Sequence, residues 1–355
     1  MDSASGEPLL PAAEEMLRRA ASFAYADPRR LHSEGRQARA LLDNARAAIA
    51  EALGVEPSEV SFVASGTEAV HRGLAGLLTG AAGLSVSAAA HSAVLAAARE
   101  WEARGTELTV LPVDRTGRTS PPTRASDVVA IAVGNHEVGT LEDNEWLTEH
   151  RGPVFVDACA SGGRLPLPQR WDVAALSAHK WGGPAGVGVL VVRRLAAWRH
   201  VGVTDDRVDH RSTGFENIAA AMAAAAALQE TVAARDALNA RHHRLCADLR
   251  ARLARLPDVE VHGDPEHRLP HIVGFSCLLV SGDELVSELD RAGFAVSSGS
   301  ACTTSTLEPS HVLVAMGALT HGNLRVSLSR DTTAADLDAF AEVLEGVLQR
   351  LREGL

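Results

Sequence analysis

Ser177-Ala178-His179-Lys180-Trp181-Gly182-Gly183-Pro184 is the stretch on which the reading of this chain turns. Lys180 is the only lysine in 355 residues, so the other members of the 34 lysines and arginines are all arginine. Either residue supplies surface charge. A primary amine that must lose its proton and condense with a carbonyl has no arginine substitute, because guanidinium stays charged at any accessible pH. Composition alone leaves open whether Lys180 is a chemical necessity or a surface remnant. Its setting is informative: an apolar run at 174–177 leads into it, and glycine-rich backbone follows.

Outward from that run, short β-branched segments alternate with alanine-rich helical ones. Strands are expected at 60–64, 84–88, 108–113, 128–133, 154–157, 174–177 and 188–192, with helices such as 68–78 and 93–104 between them. This alternation predicts an α/β fold, a mostly parallel seven-stranded sheet wrapped by helices. Ligands of such sheets sit at the carboxyl ends of the strands. A long helical tract at 218–256 follows, its alanine run at 219–227 reading as close helix packing. Beyond it, strands at 272–279 and 324–329 and helices at 282–292 and 334–352 suggest a smaller α+β unit. The expected division is a large domain at 12–235 and a small domain formed by 1–11 and 236–355.

Composition excludes several classes. A 46% hydrophobic fraction describes a globular chain, and no run approaches the ~18–20 apolar residues of a membrane span. Net charge −11 with scattered arginines argues against a nucleic-acid surface. Cys159, Cys246, Cys277 and Cys302 lie far apart with no CxxC pair, so neither a metal site nor a disulfide framework is expected. Met1 to Pro8 lacks the basic and apolar regions of a signal peptide, and a cytoplasmic enzyme is the natural expectation.

The chemistry begins with Asp157, which ends the predicted strand before the one leading to Lys180. An aspartate there suits an ion pair with the pyridinium nitrogen of pyridoxal phosphate, and Lys180 suits the Schiff base that carries it. Either residue alone is weak evidence; together they are strong. Ser65-Gly66-Thr67-Glu68 closes a strand and opens a helix, a helix N-cap whose backbone amides also suit a phosphate. Cys246 and Cys277 fall in a helix and an apolar strand, where buried thiols are expected. Cys159 stands two residues from Asp157, with packing the default for a buried cysteine.

The most specific stretch is Ala295-Val296-Ser297-Ser298-Gly299-Ser300-Ala301-Cys302-Thr303, continuing to Leu307-Glu308-Pro309-Ser310. With the lysine motif, it makes the chain resemble the class-V aminotransferase superfamily of fold-type-I pyridoxal-phosphate enzymes. Within that superfamily it resembles the cysteine desulfurases with a long catalytic-cysteine loop. The resemblance runs from about Asp2 to the C-terminus. It implies that L-cysteine becomes L-alanine while its sulfur forms a persulfide on Cys302 and passes to an acceptor protein. It further implies a homodimer. Cys302, Lys180 and His91 become the catalytic candidates, His91 also stacking on the cofactor ring. Asp157, Gly66, Thr67, His136, Ser177, His179 and Thr213 become cofactor contacts, Thr213 lent by the neighbouring subunit. Arg325 and Asn135 become substrate contacts, the arginine gripping the carboxylate with its bidentate fork.

Departures from the family pattern are specific. Asn135-His136-Glu137-Val138-Gly139 carries a histidine where an asparagine is usual, and Ala160 stands in place of a glutamine. Gly6-Glu7 replaces two threonines, His71 an asparagine, and Arg211-Ser212-Thr213-Gly214 alters the order of a phosphate motif. Two other readings therefore stand beside the desulfurase: a selenocysteine lyase or related class-V lyase, and a weakened enzyme that scaffolds sulfur-transfer partners.

Overall fold

The computed structural model describes residues 1–122, 128–142, 145–202, 209–298 and 309–353. Two helices, α1 (Pro11–Ala20) and α2 (Ser33–Leu53), precede the first strand, β1 (Val60–Val63). Then come α3 (Gly66–Leu78), β2 (Gly83–Ser87), α4 (Ser92–Ala103), β3 (Glu107–Leu111) and β4 (Val128–Ala132). β5 (Val154–Asp157), β6 (Val173–Ser177) and β7 (Gly188–Val192) complete the large sheet, in order β1-β7-β6-β5-β4-β2-β3. β3, β2, β4, β5 and β6 run parallel, whereas β7 is antiparallel to both of its neighbours. Lys180 thus stands in a short link between adjacent antiparallel strands, which need no crossover helix.

Side chains alternate between the two faces of the sheet, and its central strands are buried on both, so a core forms on each face. Val154 and Val156 of β5 pack with Leu42 and Ile49 of α2 and with Leu228, while Phe155 packs with Leu74 of α3 on the other side. The alanine run at 220–227 lies almost wholly in the first core, where its small side chains admit α1 and α2 close to the sheet. That helix is α5 (Ile218–Leu253), and it continues without a break past residue 235. Its far end, Leu245 to Leu253, packs in a separate core with Phe275 and Phe340.

This last core lies against a three-stranded antiparallel sheet, β10-β9-β8, built from β8 (Val259–Val261), β9 (Ile272–Cys277) and β10 (Asn323–Ser327). Helices α6 (Gly282–Arg291), α7 (His311–Met316) and α8 (Ala334–Glu353) complete the chain. The expected strand at 108–113 ends at Leu111 because Pro112 has no amide hydrogen for a ladder. No described helix is long and apolar enough to cross a membrane. Residues 1–3 return to pair beside β10: the Ser327 amide donates to the Met1 carbonyl at 2.9 Å, and Asp2 forms a parallel bridge with Ser327.

Candidate active site

The carboxyl ends of β5 and β6 bring Asp157 and Lys180 to one cavity of about 280 Å³. Asp157 is the last residue of its strand, and its Oδ1 accepts from the Cys159 amide at 2.9 Å, which fixes the carboxylate. Lys180 closes a single 3-10 turn, Ala178–Lys180. The turn is anchored on both sides: the Glu7 amide donates to the His179 carbonyl at 2.8 Å, and Trp181 Nε1 to the Ala224 carbonyl of α5 at 3.1 Å. Gly182 takes φ +81, and a side chain there would also strike Leu10 at 2.5 Å.

One end of the cavity is the first turn of α3. Ser65 caps it, accepting from the Glu68 amide at 3.0 Å, while the Glu68 carboxylate accepts from the Ala64 amide at 2.7 Å. The amides of Gly66 and Thr67 find no acceptor among the described residues, and the helix dipole adds partial positive charge there. A Cβ at Gly66 would lie 2.7 Å from Ser177 Cβ and 3.0 Å from Cys159 Sγ, so glycine is what lets this helix end meet the wall. Ser177 Oγ sits 3.1 Å from His179 Nδ1, adding two polar groups to that wall. Cys159, expected to pack, lines the cavity; burial, reinforced by Asp157, pushes its thiol well up, away from the reactive thiolate.

Two imidazoles meet on another side, His91 and His136, edge to face with centroids 4.8 Å apart. Burial lowers the pKa of both, His136 strongly. For His91, Asp157 opposes that shift, while Lys180 adds to it. His91 also caps α4, its Nδ1 accepting from the Ala93 amide at 3.1 Å. The neutral ring therefore carries its hydrogen on Nε2, and protonating Nδ1 would break the cap. His91 is built as a neutral donor.

Arg325, on β10 and 5% exposed, also lines the cavity. Nη1 donates to the His136 carbonyl at 3.0 Å, and Nη2 to Ser5 Oγ and Asp2 Oδ1. Nearby backbone flanks the Cys302 stretch. Ser297 pairs with Arg325 through amide-to-carbonyl bonds of 2.7 and 3.2 Å, and Ser310 Oγ donates to the Glu137 carboxylate at 2.8 Å. Cys302 itself lies outside the described residues.

Lys180, Asp157, His91, His136, Gly66, Thr67, Ser177, His179 and Arg325 thus share one cavity. Two expected contacts do not line it. Asn135 spends its side chain on its own loop, accepting from the Glu137 and Val138 amides and donating to the Ala89 carbonyl. Thr213 Oγ1 accepts from Arg72 at 3.0 Å and faces a separate cavity with Phe62 and Phe215. Of the departures, Ala160 lines the cavity, His71 is exposed, and Glu7 forms a buried ion pair with Arg164. Ser5 and Asp2 were missed from sequence, because a polar N-terminus carries no local signal for a partner more than 300 positions away.

The donor set fits pyridoxal phosphate: free amides at a helix end for the phosphate, a strand-end carboxylate for the ring nitrogen, and an amine for the aldehyde. Comparison with known proteins shows the family. Residues 4–340 match the family model described as aminotransferase class-V. The cysteine desulfurase IscS of Dictyoglomus turgidum is 31% identical over 99% of this chain and 95% of its own length. A cysteine desulfurase of Cereibacter sphaeroides is 35% identical, over 92% and 90%. A solved NifS-like protein superposes with a TM-score of 0.90 at 25% identity, covering 98% of both chains. The chain belongs to the class-V aminotransferases and, among them, to the cysteine desulfurases.

Proposed function

We propose that this enzyme uses pyridoxal phosphate to convert L-cysteine to L-alanine, passing the sulfur to Cys302 and from there to an acceptor protein. The observation that carries the reading is the meeting of Lys180 and Asp157 at adjacent strand ends, together with Arg325, in one cavity. When bound, the cofactor supplies an electron sink for negative charge at the substrate α-carbon. The amides of Gly66 and Thr67, with Ser177 and His179, hold its phosphate. Asp157 would pair with its ring nitrogen and keep it protonated, and His91 and His136 would bound the space it occupies.

Arg325 takes the substrate carboxylate and so orients the α-carbon. The Lys180 amine, once free, removes the α-proton and returns a proton during formation of alanine. His91 Nε2–H donates a hydrogen bond into the cavity. The Cys302 thiolate attacks the substrate sulfur; a new S–S bond forms as the substrate C–S bond breaks, and the carbon is protonated. We further propose a homodimer, in which Thr213 serves the partner's cavity. The scaffold reading loses its footing where Lys180, Asp157 and Arg325 line the same space.

Mass spectrometry after addition of L-cysteine tests this: one additional sulfur on Cys302 and stoichiometric alanine are expected. Alanine release by Cys302→Ser at the wild-type rate, with reductant present, would refute the sulfur step.

A further inference from the structure

The arginine end of the cavity is assembled from the two ends of the chain, and its hydrogen bonds are almost fully assigned. Arg325 Nη1 donates to the His136 carbonyl at 3.0 Å. Nη2 donates to Ser5 Oγ at 2.7 Å and to Asp2 Oδ1 at 2.9 Å, and Ser5 Oγ donates in turn to Asp2 Oδ1 at 2.9 Å. Nε–H is buried and has no acceptor among the described residues. A buried donor without an acceptor is costly, and this one belongs to a side chain that lines the Lys180 cavity. That N–H leaves the guanidinium able to take one more acceptor, such as a carboxylate oxygen.

Asp2 is therefore already a carboxylate on the arginine that another carboxylate is to join. It is not free to step aside. The Ser327 amide donates to the Met1 carbonyl at 2.9 Å, Ser3 Oγ to the Leu328 carbonyl at 2.7 Å, and the Ala4 amide to Ser327 Oγ at 2.9 Å. Nor does Arg325 depend on the charge of Asp2 for its position. It lies within β10, paired with Gly274 on one side and Ser297 on the other, and its guanidinium keeps the His136 and Ser5 contacts. What Asp2 contributes beyond these is one negative charge.

We propose that Asp2 is the resident counter-charge of the carboxylate site and sets how tightly amino-acid carboxylates are held. The proposal rests on the reading of Arg325 as the substrate-carboxylate arginine. An arriving carboxylate makes a second anion beside a single guanidinium. Coulomb repulsion then weakens substrate and product alike, which favours departure of alanine. The Asp2 side chain is 29% exposed and that of Arg325 7%, so solvent screens the effect on one side only.

Asp2→Asn removes the charge and keeps an oxygen acceptor for Arg325. The probe is 3-mercaptopropionate, a carboxylate without an amine, titrated calorimetrically into the holoenzyme. Its Kd is expected to fall about tenfold, with the KM for L-cysteine falling in parallel and kcat no higher than wild type. Asp2→Ala, with folding checked by Tm, is expected to tighten binding in the same sense. If both variants bind the probe equally to wild type or more weakly, Asp2 is a brace for Arg325 or a bystander, and the proposal is overturned. Arg325→Gln separates the two layers. Probe affinity and KM unchanged in that variant overturn the carboxylate reading itself. Probe affinity lost there, without tightening in the Asp2 variants, overturns only the counter-charge.

Discussion

The two ends of the cavity are built in opposite ways. The end formed by Asp157, Ser177, Lys180 and the first turn of α3 draws on strand ends and a helix start, each within a few residues of a recognisable motif. The end formed by Asp2, Ser5, His136 and Arg325 joins segments separated by as many as 323 positions. The first is held by adjacent elements of one mostly parallel sheet, the second by side-chain hydrogen bonds between the N-terminus and β10. Local architecture positions the first end through short-range backbone contacts. The second end depends on tertiary closure, and its charge balance can be altered one residue at a time.

The sharpest way to break this comparison is Lys180→Arg. Guanidinium neither condenses with an aldehyde nor exchanges the α-proton, so the loss of alanine formation should exceed about a thousandfold. Borohydride reduction followed by peptide mass spectrometry should place the cofactor on Lys180 in wild type and on no residue of the variant. Because the chain holds no other lysine, an adduct away from both Lys180 and the α-amine, or one in wild type that spares Lys180, would dismantle the whole assignment of this end.

The same contrast explains what was legible in the sequence. The alternation of β-branched runs and alanine-rich helices located the large sheet, because a strand buried on both faces is apolar throughout, as β7 is. Asp157 and Lys180 followed from their places at strand ends. The short strand β8 was not legible, since three residues, none fully buried, carry no period. Helices α1 and α2 were also missed: their charged faces mask the stripe of Ala38, Leu42, Ala45 and Ile49 that packs on the sheet. Asn135 stands beside the cavity without lining it, because its side chain satisfies three backbone groups. Asp2 was invisible for a simpler reason: an ion pair across the fold leaves no trace in spacing.

Gly66→Ala probes the independence of the two ends. The added methyl would lie 2.7 Å from Ser177 Cβ, so the first turn of α3 must shift at a cost of about 1–3 kcal/mol. Cofactor affinity is expected to fall about tenfold or more, read from the dialysis-resistant cofactor absorbance. Affinity of the arginine end for 3-mercaptopropionate should change by less than about twofold, since sites without shared partners act additively. A parallel loss at both ends would mean that they form one cooperative unit.

The smallest expected effect concerns protons, and it too divides the ends. His91 and His136 are held neutral chiefly by burial, so their folded pKa values lie below 6.5. Between pH 6.5 and those depressed values the unfolded chain binds protons that the folded chain does not. Stability is therefore complete above about pH 6.5 and is lost as pH falls through that window, at up to about 1.4 kcal/mol per pH unit for each histidine. Replacing His136 by asparagine, the residue usual in the family, removes one such group and should flatten the acid side of a plot of unfolding free energy against pH. Its Arg325 contact uses the backbone carbonyl, so the carboxylate end should keep its affinity for 3-mercaptopropionate at neutral pH. An unchanged acid slope would mean that His136 takes up its proton in the folded state, placing a positive charge beside His91 and removing the physical basis for a neutral imidazole pair along the cofactor.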